Sequence, residues 1–324
     1  MAIKRIVVAT DGSEPAQRAV AWSAELATSL NAEITAVHAI GRTYHPAQMA
    51  SAMYVPDDYE AMLKEVNETL MTQWCQPLRD AHVRFHCLVR DGAPAEMILL
   101  TALDEHADLI VMATHGSGGL ARWAFGSVTN NVLHNTTAPT LVVHASVAED
   151  PSARPRVDGI IVPLDGSPTA EEAIPIAQDI ATGLALPLQI VRVISNASSL
   201  LYRDPLADDA AIRRLSAALA HARSNAERAV EAIVARLNSA TLRATGTVFT
   251  GDPAAVLSAY LREQPDSLVV MASHGEHDPQ PWLFGNVAEK IVATAPNPTL
   301  VVHPSSRVVP FLHVDPALAA RYPD

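Results

Sequence analysis

Short runs of β-branched and apolar residues recur along the chain: IVVAT (6–10), AEITAVHAI (32–40), VRFHCLV (83–89), ADLIVMAT (107–114) and PTLVVH (139–144). They are nearly continuous in apolar residues rather than alternating, as strands buried on both faces should be. Between them lie segments with apolar residues at helical spacing: SEPAQRAVAWSAELATSL (13–30), the long stretch 58–80, PAEMILLTALDEHA (94–107) and SVTNNVLHN (127–135). Strand then helix, repeated, predicts an α/β fold with a doubly wound parallel sheet and helices on both faces.

The same string returns in the second half. KRIVVATDGS (4–13) matches DGIIVPLDGS (158–167), RDGAPAEMIL (90–99) matches TGDPAAVLSA (250–259), and APTLVVH (138–144) matches NPTLVVH (297–303). The register between copies shifts once, in the middle, where the second copy has a longer helix around 208–238. This is one domain duplicated, with a first copy over 1–146, a polar, proline-containing linker over 147–157, a second copy over 158–304 and a proline-rich tail over 305–324.

Composition narrows the function. The net charge of −12 argues against a nucleic-acid-binding surface. No apolar run approaches a membrane span, and the opening MAIKRIVVATDGS is too short in hydrophobic length for a signal peptide. Two cysteines, Cys75 in a helix and Cys87 in a strand, fit a reducing cytoplasm and read as inert thiols.

The chemistry concentrates in one loop present in both copies, ATHGSGGLARWAFGS (113–127) and ASHGEHDPQPWLFGN (272–286). In an open α/β sheet, ligands sit outside the carboxyl ends of the strands where the chain order reverses, and this loop leaves the fourth strand there. It ends at a helix start, whose unpaired N–H groups welcome an anion. Gly116, Gly119 and Gly126 let backbone approach phosphate oxygens, and Ser127 offers a cap or a hydroxyl. No G-x-G-x-x-G turn follows the first strand and no G-K-[ST] occurs, which disfavours a dehydrogenase or a P-loop enzyme.

VATDGS at the first strand, THG, nine residues, GSVTNNVL and then APTLVVH together resemble the universal stress protein family, and two copies resemble its tandem members. The resemblance implies five parallel strands in each copy and ATP, with or without Mg²⁺, held between the first, second and fourth strands. It implies that Thr10 and Asp11 meet the adenosine, that the backbone near Ala39 meets the adenine, and that Gly116, Gly126, Ser127 and Val128 hold phosphates. Ala113 stands where the family signature has its first glycine and crowds the ribose side; His115 follows it and either touches the ligand or packs over the loop base.

The second copy departs further. Glu276 and Asp278 stand where a polyphosphate would lie, and Pro279 and Pro281 remove two N–H donors. Asn286, with Glu289 three residues on, resembles a capping box that closes the helix start internally. The expectation is ATP in the first copy and none in the second. His274, His277 and Asp278 offer metal ligands, although such short runs in loops are mostly solvated. Trp123 and Trp282, like Phe125 and Phe284, read as packing.

The expected function is a cytoplasmic, ATP-binding, stress-linked sensor whose loop 113–127 orders on binding and reports to a protein partner. The short apolar edge strands predict pairing into a homodimer. Two alternatives remain open: an interaction scaffold of the same fold without nucleotide, and a slow ATPase or autokinase, for which no base or arginine finger is evident.

Overall fold

The run Ile6-Val7-Val8 is wholly buried, and β1 (Arg5–Ala9) built on it is the middle one of the five strands in its half of the chain. The computed structural model describes residues 3–40, 59–114, 126–144, 154–195, 209–274 and 285–304. The chain divides into two compact units, Ala2–Pro155 and Arg156–Pro304.

In the first unit β1 is followed by α1 (Glu14–Leu30), β2 (Glu33–Ile40), α2 (Tyr59–Thr69), a π turn (Leu70–Trp74), α3 (Gln76–Asp80) and β3 (Phe85–Asp91). Then come α4 (Pro94–Asp104), β4 (Leu109–Ala113), α5 (Ser127–Asn135) and β5 (Thr140–Val143). The strands run parallel in the order β3-β2-β1-β4-β5. Chain order therefore reverses between β1 and β4. One face packs on α4 and α5 through Val7, Ile110 and Met112 against Ala95, Ile98 and Val132.

The second unit repeats this with β6 (Gly159–Leu164), α6 (Pro168–Glu171), α7 (Ala173–Leu184), β7 (Leu188–Ile194), α8 (Asp209–Leu237) and β8 (Ala244–Thr250). It ends with α9 (Pro253–Arg262), β9 (Ser267–Ala272), α10 (Asn286–Thr294) and β10 (Thr299–Val302). Its parallel order is β8-β7-β6-β9-β10, the same plan.

The long middle segment differs between the copies. In the second unit α8 runs unbroken through Asp209–Leu237. In the first, the helix widens into the π turn, where the Cys75 N–H donates to the Leu70 carbonyl five residues back at 3.0 Å, and Pro77 follows. Proline lacks the N–H that would continue the ladder, so the chain restarts as α3. The described part of the expected linker, residues 154–157, has no regular structure, and the 305–324 tail lies outside the described residues.

Candidate functional site

Each unit places the same local device after its first strand. Asp11 Oδ1 accepts from the Ser13 N–H at 3.0 Å, and Asp165 Oδ1 accepts from the Ser167 N–H at 2.8 Å. The glycine between them takes a left-handed φ, +75° at Gly12 and +92° at Gly166. Ser13 and Ser167 then cap the following helix, accepting from the N–H groups of Ala16 and Ala170. Both aspartates are thus held at a strand end by their own turn.

The fourth strand of each unit is tied to the next helix across the intervening loop. Gly126 N–H donates to Thr114 O at 2.8 Å, and Gly285 N–H donates to Ser273 O at 2.8 Å. Gly126 and Gly285 are the N-cap residues, both in extended backbone, and neither helix has a side-chain cap. Among the described residues, therefore, no side chain caps the first-turn amides that begin at Ser127 and Asn286. This corrects two expectations. Ser127 is the first helical residue rather than the cap. Asn286 and Glu289 form no capping box, because the cap position falls one residue earlier, and the Glu289 N–H goes to the Gly285 carbonyl at 2.8 Å. Among the described residues the second helix start, like the first, has no side-chain cap.

In the second unit these positions enclose a cavity of about 470 Å³. Leu164 and Asp165 line it from the end of β6, Val193 from β7, Ala272 and His274 from the β9 exit, and Gly285, Asn286 and Val287 from the start of α10. Aligning the two copies, these are the counterparts of Thr10, Asp11, Ala39, Ala113, His115, Gly126, Ser127 and Val128. The volume lies in the range of small-molecule sites. His274 is buried, with Nδ1 at 2.8 Å from Ser273 Oγ.

In the first unit, Thr10 and Asp11 follow β1, Ala39 lies near the end of β2, Ala113 ends β4, and Gly126, Ser127 and Val128 open α5. All sit at the carboxyl ends of three adjacent strands. Thr129 fixes the floor, its buried Oγ1 donating to Ala113 O at 2.9 Å and lying 3.2 Å from Thr114 O. The counterpart of Thr129 is Ala288, which lines the second cavity. Replacing Thr129 by Val keeps the shape but leaves two strand-end carbonyls without this donor. Urea unfolding should show a loss of about 1–3 kcal/mol, the cost of a buried group losing its partner.

Two side chains distinguish the sites, and neither was singled out from sequence. In the first unit the Trp74 indole lies directly on Gly12, close enough that a Cβ there would collide with the ring. Trp74 also meets His38 edge-on, with ring centroids 5.0 Å apart, while His38 Nδ1 lies 2.9 Å from Thr10 O. In the second unit the guanidinium of Arg192 takes that place over Gly166, and Ala222 and Ala226 of α8 line the cavity. A lone arginine near the end of an apolar strand, LQIVRVI, is a readable signal. Trp74 is not, because its position depends on the π turn.

His115, Gly116, Gly119, Glu276, His277, Asp278, Pro279, Pro281 and the four loop aromatics lie outside the described residues. Among the described residues no group of three His, Cys, Asp or Glu side chains is placed to hold a metal. No helix among them is long and apolar enough to cross a membrane. Cys75 and Cys87 are both free thiols and are neighbours, with Sγ atoms 3.5 Å apart.

The universal stress protein family model matches residues 2–144 and again 157–303. Universal stress protein Rv2005c of Mycobacterium tuberculosis is 26% identical over 309 residues, covering 93% of this chain and 97% of that protein. Universal stress protein MJ0531 of Methanocaldococcus jannaschii is 31% identical over 140 residues, 43% of this chain and 81% of its own length. A universal stress protein structure from Archaeoglobus fulgidus superimposes with a TM-score of 0.62 at 18% identity, covering 92% of this chain and 97% of that one, a likeness of fold. The chain belongs to the universal stress protein family and carries two of its domains in tandem.

Proposed function

We propose that this is a stress-response regulator that binds an adenine nucleotide in its first unit. The observation that carries the reading is the start of α5 at Gly126, which has no side-chain cap among the described residues and is set at the carboxyl end of β4 beside the β1 end that presents Asp11. Open first-turn amides supply donors for phosphate oxygens, and the helix dipole adds favourable potential there. Asp11, already oriented by Ser13, would meet a ribose hydroxyl, and the β2 end near Ala39 the base edge. On this reading nucleotide binding would order the glycine-containing loop 113–127 and present it to a protein partner. Titration calorimetry with Mg-ATP on the whole chain tests this: saturable binding weakened by Gly126→Asp supports it, and no heat of binding overturns it.

A second reading concerns the second unit, and its cavity of about 470 Å³ favours it. With the helix start open at Gly285 and Arg192 on the wall, that unit is also a ligand site. Glu276 and Asp278 in its bordering loop set it against a triphosphate, so a ligand with fewer negative charges, such as a nucleoside monophosphate, fits better. Thermal-shift measurements should show stabilisation by AMP that disappears in Gly285→Asp and survives in Gly126→Asp. Loss of the AMP shift in Gly126→Asp alone would assign both nucleotides to the first unit.

A further inference from the structure

Cys75 closes the π turn, and Cys87 lies within β3, an outer strand of the first unit's own sheet order. The turn packs against β3 and brings the two sulfurs to 3.5 Å. A disulfide needs about 2.0 Å, so closure asks for a side-chain rotation and a small backbone adjustment. Cys75 is fully buried, whereas Cys87 is half-buried and within reach of a small oxidant. Trp74 immediately precedes Cys75, and its indole is the group lying on Gly12, next to Asp11.

We propose that Cys75 and Cys87 form a peroxide-oxidised thiol pair whose closure moves the Trp74 indole on the β1–α1 turn. Cys87 is the attacking thiol. The hydrogen bond it shares with Cys75 holds Cys87 below the usual thiol range, and that same bond, with burial, pushes Cys75 up. The Cys87 thiolate attacks one oxygen of a hydroperoxide, the O–O bond breaks, and the leaving oxygen departs as water or alcohol with the proton that Cys87 gave up. Cys87 is then a sulfenic acid. Cys75 attacks its sulfur, the S–O bond breaks, and hydroxide leaves as water with the Cys75 proton. Two thiols are oxidised to one disulfide and one peroxide is reduced. The disulfide and its effect on Trp74 stand independently of the nucleotide reading.

The test treats the reduced full-length chain with hydrogen peroxide and follows free thiols, intact mass and tryptophan emission. Both thiols should disappear with a mass loss of about 2 Da and no intermolecular crosslink, reversed by dithiothreitol. Emission should change in step, and this change should be absent in Trp74→Phe. Cys75→Ser should trap Cys87 as a sulfenic acid that dimedone labels, while Cys87→Ser should leave Cys75 intact at the same dose. Retention of both thiols overturns the proposal, as does oxidation beyond the sulfenic stage in the wild type without a disulfide. A disulfide without an emission change overturns the coupling to Trp74. A disulfide with the emission change, in a chain that binds no nucleotide in either form, leaves the redox pair standing and removes the nucleotide reading.

Discussion

Gly126→Asp should weaken ATP binding by about 100-fold or more, equivalent to about 2.7 kcal/mol, while leaving the fold as stable as before. Gly126 has φ −64° and ψ 147°, extended backbone that any residue adopts, so the new side chain meets no conformational penalty. Aspartate is a good N-cap; its carboxylate would accept from the first-turn amides and exchange a glycine cap for a slightly better one, a gain of a few tenths of a kcal/mol. The same carboxylate then takes the donors the phosphates would use and sets a like charge beside them. Affinity and stability therefore separate. Calorimetry with Mg-ATP beside urea unfolding of the apo chain checks both. Equal loss of stability and affinity would mean that the substitution simply damaged the helix start.

Gly12→Ala should be the most destabilising exchange near the site. A Cβ at φ +75° costs about 1–2 kcal/mol by itself, because the left-handed region crowds it against the following carbonyl. It would also enter the space held by the Trp74 ring, an overpacking cost of about 1–3 kcal/mol more. In the double variant Gly12→Ala/Trp74→Ala the second part should vanish and the first remain, giving a coupling within the 0.5–3 kcal/mol or so expected of residues in contact. Gly166→Ala makes the contrast. Its Cβ would meet the tip of Arg192, a flexible chain that can swing aside, so the backbone penalty dominates there. Denaturant midpoints of Gly12→Ala, Trp74→Ala, their double variant and Gly166→Ala settle the comparison; additive effects at Gly12 and Trp74 would contradict the packing described above.

The duplicated strand-and-helix plan was legible from continuous apolar runs and helical spacing, because parallel strands such as β4, LIVMA, are buried on both faces and show little else. The position of the loop from Ala113 to Gly126 at the strand ends was legible from topology, whereas Asp11 and Ala39 were pointed to only by the family resemblance. Helix caps were not. Ser127 and Asn286 are both cap-forming residues, yet the bonds from Gly126 and Gly285 to the strand exits set the boundary one position earlier. A local residue preference cannot register a hydrogen bond made across a loop. The same limit hid the sulfur pair, since Cys75 and Cys87 meet only when the π turn packs on β3. The acidic second loop remains a sequence argument about ligand charge; the open helix start and cavity beside it argue for a ligand of another kind, not for a closed site.

The central claim, a nucleotide in the first unit, is tested most directly by what the protein carries. The chain is purified without added nucleotide and denatured, and the supernatant is separated by chromatography and identified by mass spectrometry, with Gly126→Asp alongside. The account predicts adenine nucleotide at about one triphosphate per chain in the wild type and none in the variant. No nucleotide in the wild type, followed by no binding of added Mg-ATP, would contradict it.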